Sequence, residues 1–409
     1  MMKRKLMFLA IPIAWGLVNA QVSAGMNEAP PPGFHWGLGA AQGYDDNIRQ
    51  APSGEEKGSS VTEIAPALGY RAGTPSARYS MRYAPRLRYY SRASDHSRVD
   101  HRLSADRYQT LGDAGNLNLS LLARRWTRPV NKNNRVADEQ GDIQEVATLG
   151  GTYERKIFDG AGSYALGMGY RWNRYANNRT AASSIPGANG SNTQSEDYNS
   201  PRLEAMLGWE ATETTRLILE GRYVDFRYQW ADSSLSSHDT ALLAGISWKP
   251  SSGVSGRVMA GPLRKDFDSP GLASRTITSW DARLSIRMSQ RSRLRFSSRH
   301  RFEEGSELGA GRIRQAVTER TTHRAGLSHR LTPRMRLAIG YLNRIKDYRG
   351  GVTDGGQNNI RMGFVNVVRA LTPDFDLGLE LRKKKNDSTF PGASYTRQGV
   401  FLTLNWRLQ

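Results

Sequence analysis

The chain contains no cysteine in 409 residues. That excludes disulfides, thiol chemistry and a lipid anchor carried on a cysteine. After residue 24 no apolar run approaches the ~18 residues that a membrane-spanning helix needs. Lysine is scarce: of 58 basic residues, eleven are lysine and 47 arginine. Acid is also short, with 38 Asp and Glu, so the net charge is +20. Arginine keeps its charge and presents a planar fork suited to carboxylate, sulfate or phosphate. A basic chain can signal nucleic-acid binding. No nucleic-acid-binding motif is present, and the arginines stand at strand spacing rather than in a basic tail, so no nucleic-acid partner is expected.

What is present starts with a leader. Lys3, Arg4 and Lys5 precede an apolar stretch from Leu6 to Val18, and Val18-Asn19-Ala20 and Val22-Ser23-Ala24 both end in a small-x-small pattern. This reads as a cleaved secretory signal over residues 1–24. Residues 25–33 form a short proline-rich periplasmic lead-in. Residues 34–409 read as one unit, with no second domain, plug or passenger.

Period-two alternation recurs through that unit. In RYSMRYAPRLRYY, Arg78, Arg82, Arg86 and Arg88 fall on one parity and Tyr79, Met81, Tyr83, Leu87 and Tyr89 on the other. Leu284, Ile286 and Met288 interleave with Arg283, Ser285, Arg287 and Ser289, and the chain ends on Val400, Leu402, Leu404, Trp406 and Leu408 in alternation with polar residues and Phe401. Side chains on a strand point to opposite faces in turn. Connections alternate as well. Tight turns are expected at 73–75, 112–115, 159–162, 211–214, 250–253, 289–292, 331–334 and 371–374. Longer polar loops are expected at 49–59, 92–97, 128–141, 178–199, 230–238, 266–275, 303–316, 348–357 and 385–394.

Short turns on one side and long loops on the other mark an outer-membrane barrel. The expectation is an all-β, transmembrane, antiparallel up-and-down barrel of about 18 strands (16–18), with both ends periplasmic. A large soluble sandwich or propeller would also alternate, but need not alternate its loop lengths. Negative mean hydropathy does not exclude the barrel, because lipid-facing and lumen-facing residues average out. Aromatic residues near strand ends, among them Trp36, Tyr70, Trp126, Tyr175, Trp209, Tyr228 and Trp248, suggest interfacial girdles. Pro85 lacks an amide donor and predicts a break or bulge in its strand.

A charge at mid-membrane costs about 2–4 kcal/mol in a barrel. The arginine parity is therefore expected to face the lumen: Arg78, Arg82, Arg86, Arg88, Arg171, Arg222, Arg283, Arg287, Arg293, Arg295, Arg299, Arg336, Arg361, Arg369 and Arg382. A lumen ringed by arginine attracts anions. The alternative is a ladder in which these arginines pair with inward acids such as Glu220, Asp281, Asp376 and Glu380 and only stabilise the wall.

The stretch Tyr44-Asp45-Asp46-Asn47 closing the first strand resembles the β-barrel porin family associated with bacterial exopolysaccharide operons. Leu263-Arg264-Lys265-Asp266-Phe267-Asp268 is similar to a basic-Asp-aromatic-Asp stretch of that family, with related fragments at Arg222-Tyr223-Val224-Asp225-Phe226 and Lys346-Asp347-Tyr348. The resemblance implies an outer-membrane protein of a Gram-negative bacterium that serves exopolysaccharide secretion, and it transfers no catalytic residues.

The leading functional expectation is a channel that exports an anionic exopolysaccharide along weak, repeated arginine sites. The second is an anion-selective diffusion porin for small solutes. Expected partners are outer-membrane lipids, the barrel-assembly machinery, an anionic polysaccharide or small anions, and periplasmic polysaccharide-secretion proteins. An outer-membrane enzyme would need a Ser–His or Asp–His constellation. None of the seven histidines falls in a recognisable one, and the cluster of Asp95, His96, Asp100 and His101 reads as a solvated loop. No enzyme activity, cofactor or metal is expected.

Overall fold

The computed structural model describes residues 32–128, 141–177, 193–231, 233–307 and 313–408. The expected signal at 1–24, most of the lead-in and large parts of the loops at 128–141 and 178–199 lie outside the described residues. Nineteen strands follow one another: β1 (Gly33–Asp45), β2 (Ser59–Gly73), β3 (Ala77–Tyr83), β4 (Arg86–Tyr90), β5 (Arg98–Leu111), β6 (Gly115–Thr127), β7 (Ile143–Ile157), β8 (Gly162–Tyr175), β9 (Tyr198–Thr212) and β10 (Thr215–Tyr228). The second half comprises β11 (Ser237–Ser251), β12 (Val254–Phe267), β13 (Arg275–Arg287), β14 (Ser292–Glu307), β15 (Ile313–Thr332), β16 (Met335–Arg349), β17 (Gln357–Ala370), β18 (Phe375–Ser388) and β19 (Tyr395–Leu408).

β3 and β4 are two halves of one stave, since both pair with β2 on one side and β5 on the other. The interruption is Ala84-Pro85, where the sequence places it. Pro85 has no amide to give the ladder, while the Ala84 N–H still reaches the Arg102 carbonyl at 2.8 Å. The barrel therefore has 18 staves. Each is antiparallel to its neighbours, and β19 pairs with β1 from Leu408↔Trp36 to Gly399↔Asp45. Closure leaves no sheet edge to lipid, which is the condition for a sheet to span a bilayer.

All eight tight turns fall where the sequence puts them. Gly73 and Gly112 take positive φ of 122° and 64° in two of them, a backbone that a side chain would strain. The alternation sorts the wall into two faces. Trp36, Leu38, Leu68, Tyr70, Tyr79, Met81, Tyr83, Leu379, Leu381, Leu402 and Trp406 are exposed on the outside. Not every aromatic joins the girdles. Tyr90, Tyr175 and Tyr228 are buried, and Trp126 takes the inward parity of β6.

The seventh long connection differs from expectation. Instead of a loop over 303–316, β14 and β15 run on as a paired hairpin through Glu307↔Ile313. Pairing between β13 and β14 stops at Trp280↔His300, although β13 extends to Arg275. β15 meanwhile keeps β16 as far as Val317↔Arg349. The end of β14 thus leaves its neighbour and lies against the inside of the wall. Phe302 and Val317 pack on Ala241 of β11 and Leu263 of β12. Ala316 packs with Tyr198 and Tyr228, and the Tyr228 hydroxyl donates to the Gly305 carbonyl at 3.2 Å. Periodicity gives strand or loop; it does not reveal that apolar residues such as Phe302, set among acids, bend a hairpin into the lumen.

Candidate functional site: the inward face

Cross-strand register determines which side each predicted arginine occupies. Thirteen of the fifteen share the inward parity: Arg78, Arg82, Arg86, Arg88, Arg171, Arg222, Arg283, Arg287, Arg293, Arg295, Arg299, Arg336 and Arg382. Arg361 and Arg369 do not. Both are exposed on the outer face of β17 with Val365 between them, while Ile360, Met362, Phe364 and Val368 take the inner face. The rule that arginine turns inward holds only at mid-membrane. Arg361 and Arg369 sit at opposite ends of their strand, where the interface solvates them. The apolar inner face of β17 is accommodated by Gly340, where a Cβ would collide with the Phe364 ring.

Among the described residues, acids engage at least six of the inward thirteen. Glu63 takes Arg86 at 3.0 Å and Arg88 at 2.7 Å. Asp281 faces in and holds Arg283 at 2.8 Å together with Arg299. Glu220 lies 4.0 Å from Arg222, and Asp45 takes Arg382 at 3.3 Å. Two others stack on rings: Arg78 over Tyr108 at 4.7 Å and Arg171 over Tyr198 at 5.8 Å. The ladder expected as the alternative thus exists for part of the set.

Several inward cations escape the sequence reading. Arg102, Arg124, Arg257, Arg301, Arg320, Arg397, Lys265, Lys346 and Lys384 all take the inward parity. Adjacent Arg124 and Arg125 hide the signal, because one of two neighbours must face out. Arg125 does so, paired with Glu145 at 2.8 Å.

Once these are included, the inner face carries like charges directly opposite one another. Arg88 faces Arg98, Arg102 faces Arg124, Arg257 faces Arg283, Arg287 faces Arg293, Arg330 faces Arg336, and Lys384 faces Arg397. Like charges so placed destabilise a sheet. The rungs extend from near the periplasmic turns, at Arg287 and Arg330, to the loop ends at Arg98 and Arg397.

The motifs that carried the family resemblance prove to be fastenings. Asp45 is fully buried; Arg397 donates to its carboxylate at 2.6 Å. Asn47 is also buried, and its amide donates to the carbonyls of Ala51 at 2.8 Å and Thr396 at 2.9 Å. Asp46 accepts the Gln398 N–H at 2.6 Å, and Tyr44 stands exposed outside. Together Asp45, Asp46 and Asn47 tie the first stave to the last. The basic-Asp-aromatic runs secure the hairpin instead. Lys265, completely buried, reaches Asp239 at 2.8 Å and Glu304 at 3.1 Å with the Phe226 ring 4.2 Å away. Lys346 takes Glu303 at 2.8 Å from the other side, and Arg320 also bonds Glu303.

Just past β6, Arg128 lies over the Tyr175 ring at 4.7 Å and donates to Glu196 at 3.1 Å. Burial alone would lower its pKa; Tyr175 and Glu196 more than offset this and hold it above the usual arginine value. The loop cluster does not converge, since Asp100 faces in toward Arg98 and His101 faces out, 2.8 Å from the Tyr83 hydroxyl. Among the described residues no group of three or more His, Cys, Asp or Glu could hold a metal ion.

A family model described as "Putative beta-barrel porin 2" matches residues 37–408. Solved structures of similar fold include OpdO of Pseudomonas aeruginosa, 14% identical with a TM-score of 0.46, covering 92% of this chain and 97% of that one. OccAB4 of Acinetobacter baumannii is 10% identical with a TM-score of 0.44, covering 92% and 98%. The siderophore receptor PirA of A. baumannii is 8% identical with a TM-score of 0.46, covering 93% and 81%. These likenesses carry no functional information for this chain. No curated protein matches it in sequence.

Proposed function

The chain belongs to that β-barrel porin family and resides in the outer membrane of a Gram-negative bacterium, and on this premise we propose that it is a channel for anions whose cargo is an anionic exopolysaccharide leaving the cell. The observation that carries the reading is the set of like-charge rungs. An empty lumen gains nothing from arginine opposite arginine. Carboxylate, sulfate or phosphate groups passing between them would relieve the repulsion, most at Arg287–Arg293 and less at Arg88–Arg98, Arg257–Arg283 and Lys384–Arg397, where Glu63, Asp100, Glu220, Asp281 and Asp45 already engage members of the rung. Because the rungs recur along the height of the wall, a polymer would always touch several, and weak multi-site binding lets cargo leave as well as enter. Low-dielectric walls strengthen the field along that path. Periplasmic secretion proteins would deliver the polymer to the turn side.

A second reading has its own support. The β14–β15 hairpin occupies part of the mouth, and a narrowed bore suits small anions diffusing through. The two readings separate in the cell. Deleting the gene should abolish secretion of an acidic polymer while leaving uptake of small anions intact. Normal secretion with impaired anion uptake would favour the diffusion porin.

A further inference from the structure

We propose that the outer wall of β16–β19 carries a binding site for the phosphate group of an outer-leaflet lipid, formed by Arg361, Lys383 and Lys385 around Gly363. Register brings them together: Lys383 is directly opposite Gly363, Lys385 is opposite Arg361, and Tyr341 flanks Gly363 on the other side. All three cations are exposed on the lipid parity. Gly363 leaves the floor between them open, the nearest atom to a Cβ there being a backbone oxygen at 3.9 Å. Strands lie about 4.8 Å apart and diagonal neighbours about 7–8 Å apart, so side chains of this length can converge on one phosphate.

Charge and height both point to that ligand. Asp387 holds Lys385 at 2.8 Å and lies 3.8 Å from Arg361, which still leaves the patch two positive charges in excess. Two other outward cations near the loop ends are matched, Arg227 by Asp225 at 2.6 Å and Arg264 by Asp266 at 2.8 Å. Below the patch Leu377, Leu379 and Leu381 form the apolar outer face of β18. Lys385 stands ten residues along the strand from Phe375 at the periplasmic rim. At about 3.3 Å per residue and a tilt near 40° that is roughly 25 Å, the height of the apolar band of such barrels. The patch therefore meets the headgroup level of the outer leaflet. Arginine and lysine there attract phosphate through charge-assisted hydrogen bonds.

The test uses the purified full-length protein in a non-ionic detergent with added phosphatidic acid or phosphatidylcholine, and native mass spectrometry reads the lipid retained. The wild type should retain phosphatidic acid over phosphatidylcholine, undiminished by excess inorganic phosphate. Arg361→Gln/Lys383→Gln/Lys385→Gln should lose about tenfold in retention, equivalent to about 1.4 kcal/mol, while Arg264→Gln loses nothing. If the triple variant does not fold, Lys383→Gln alone decides, with a several-fold loss expected and restoration by Lys383→Arg. Equal retention by a folded triple variant, or by Lys383→Gln where that variant decides, would overturn the site. So would equal retention of phosphatidylcholine. Displacement by inorganic phosphate would overturn the lipid in favour of a free anion.

Discussion

Asp45 and Arg397 lie 352 positions apart in the chain and meet at 2.6 Å, where the first stave of the barrel joins the last. Asp45 is wholly buried and also receives Arg382 at 3.3 Å. Removing the carboxylate would leave two arginines, on β18 and β19, beside each other at the closing seam with no acid between them. Breaking a buried pair from one side typically costs about 3–5 kcal/mol. Asp45→Ala should lower the denaturation midpoint accordingly, read by loss of the compact electrophoretic form on heating. Arg382→Gln should cost less, because Arg397 remains to engage Asp45.

The hairpin should respond to its lysines. Lys265 and Lys346 bind Glu304 and Glu303 from two sides. Replacing both with methionine removes that hold and leaves Glu303 with Arg320. Single-channel recording should then show a larger and noisier current than the wild type. An unchanged current would mean that apolar packing of Phe302 and Val317 alone seats the hairpin.

Much of this architecture was legible in the sequence. The alternation of residues 78–89 gave the two faces of one stave, and the turn chemistry at residues such as Gly73 and Gly112 gave the turn positions. Pro85 marked the break between β3 and β4. The family motif marked a place without revealing its role: Asp45 and Asn47 work through partners at Arg397 and Thr396, and no local pattern connects positions so distant. Arg361 and Arg369 were misplaced because parity was inferred from charge, and charge is informative only where lipid is thick. The inward bend of β14 was hidden for a related reason. Phe302 and Glu304 share a parity, so neither an apolar nor a charged face could be assigned before Leu263 and Lys265 were known to oppose them.

Pro85 yields a prediction about the ladder. Pro85→Val restores the missing donor and should join β3 to β4. The gain should be about 0.5–1.5 kcal/mol, the net worth of one hydrogen bond. Amide exchange across residues 83–87 should slow. Exchange as fast as in the wild type would mean that the break is set by the neighbouring staves.

Ionic strength should modulate the channel. Charges are screened over about 10 Å at 0.1 M salt and about 3 Å at 1 M. Anion preference in a planar bilayer should therefore decline as potassium chloride rises across that range. A preference insensitive to salt would point to a tight local site instead of a field spread over many rungs.

The most direct test of the central claim is the reversal potential across a salt gradient, measured for the wild type and for Arg82→Glu/Arg102→Glu. Arg82 and Arg102 are neighbours on the inner face, and Arg102 opposes Arg124. Arg86 is a poorer target, since Glu63 already engages it. The wild type should be anion-selective, and the folded double variant should show a reduced or reversed preference. A cation-selective or unselective wild type, or a variant with unchanged selectivity, would contradict the claim.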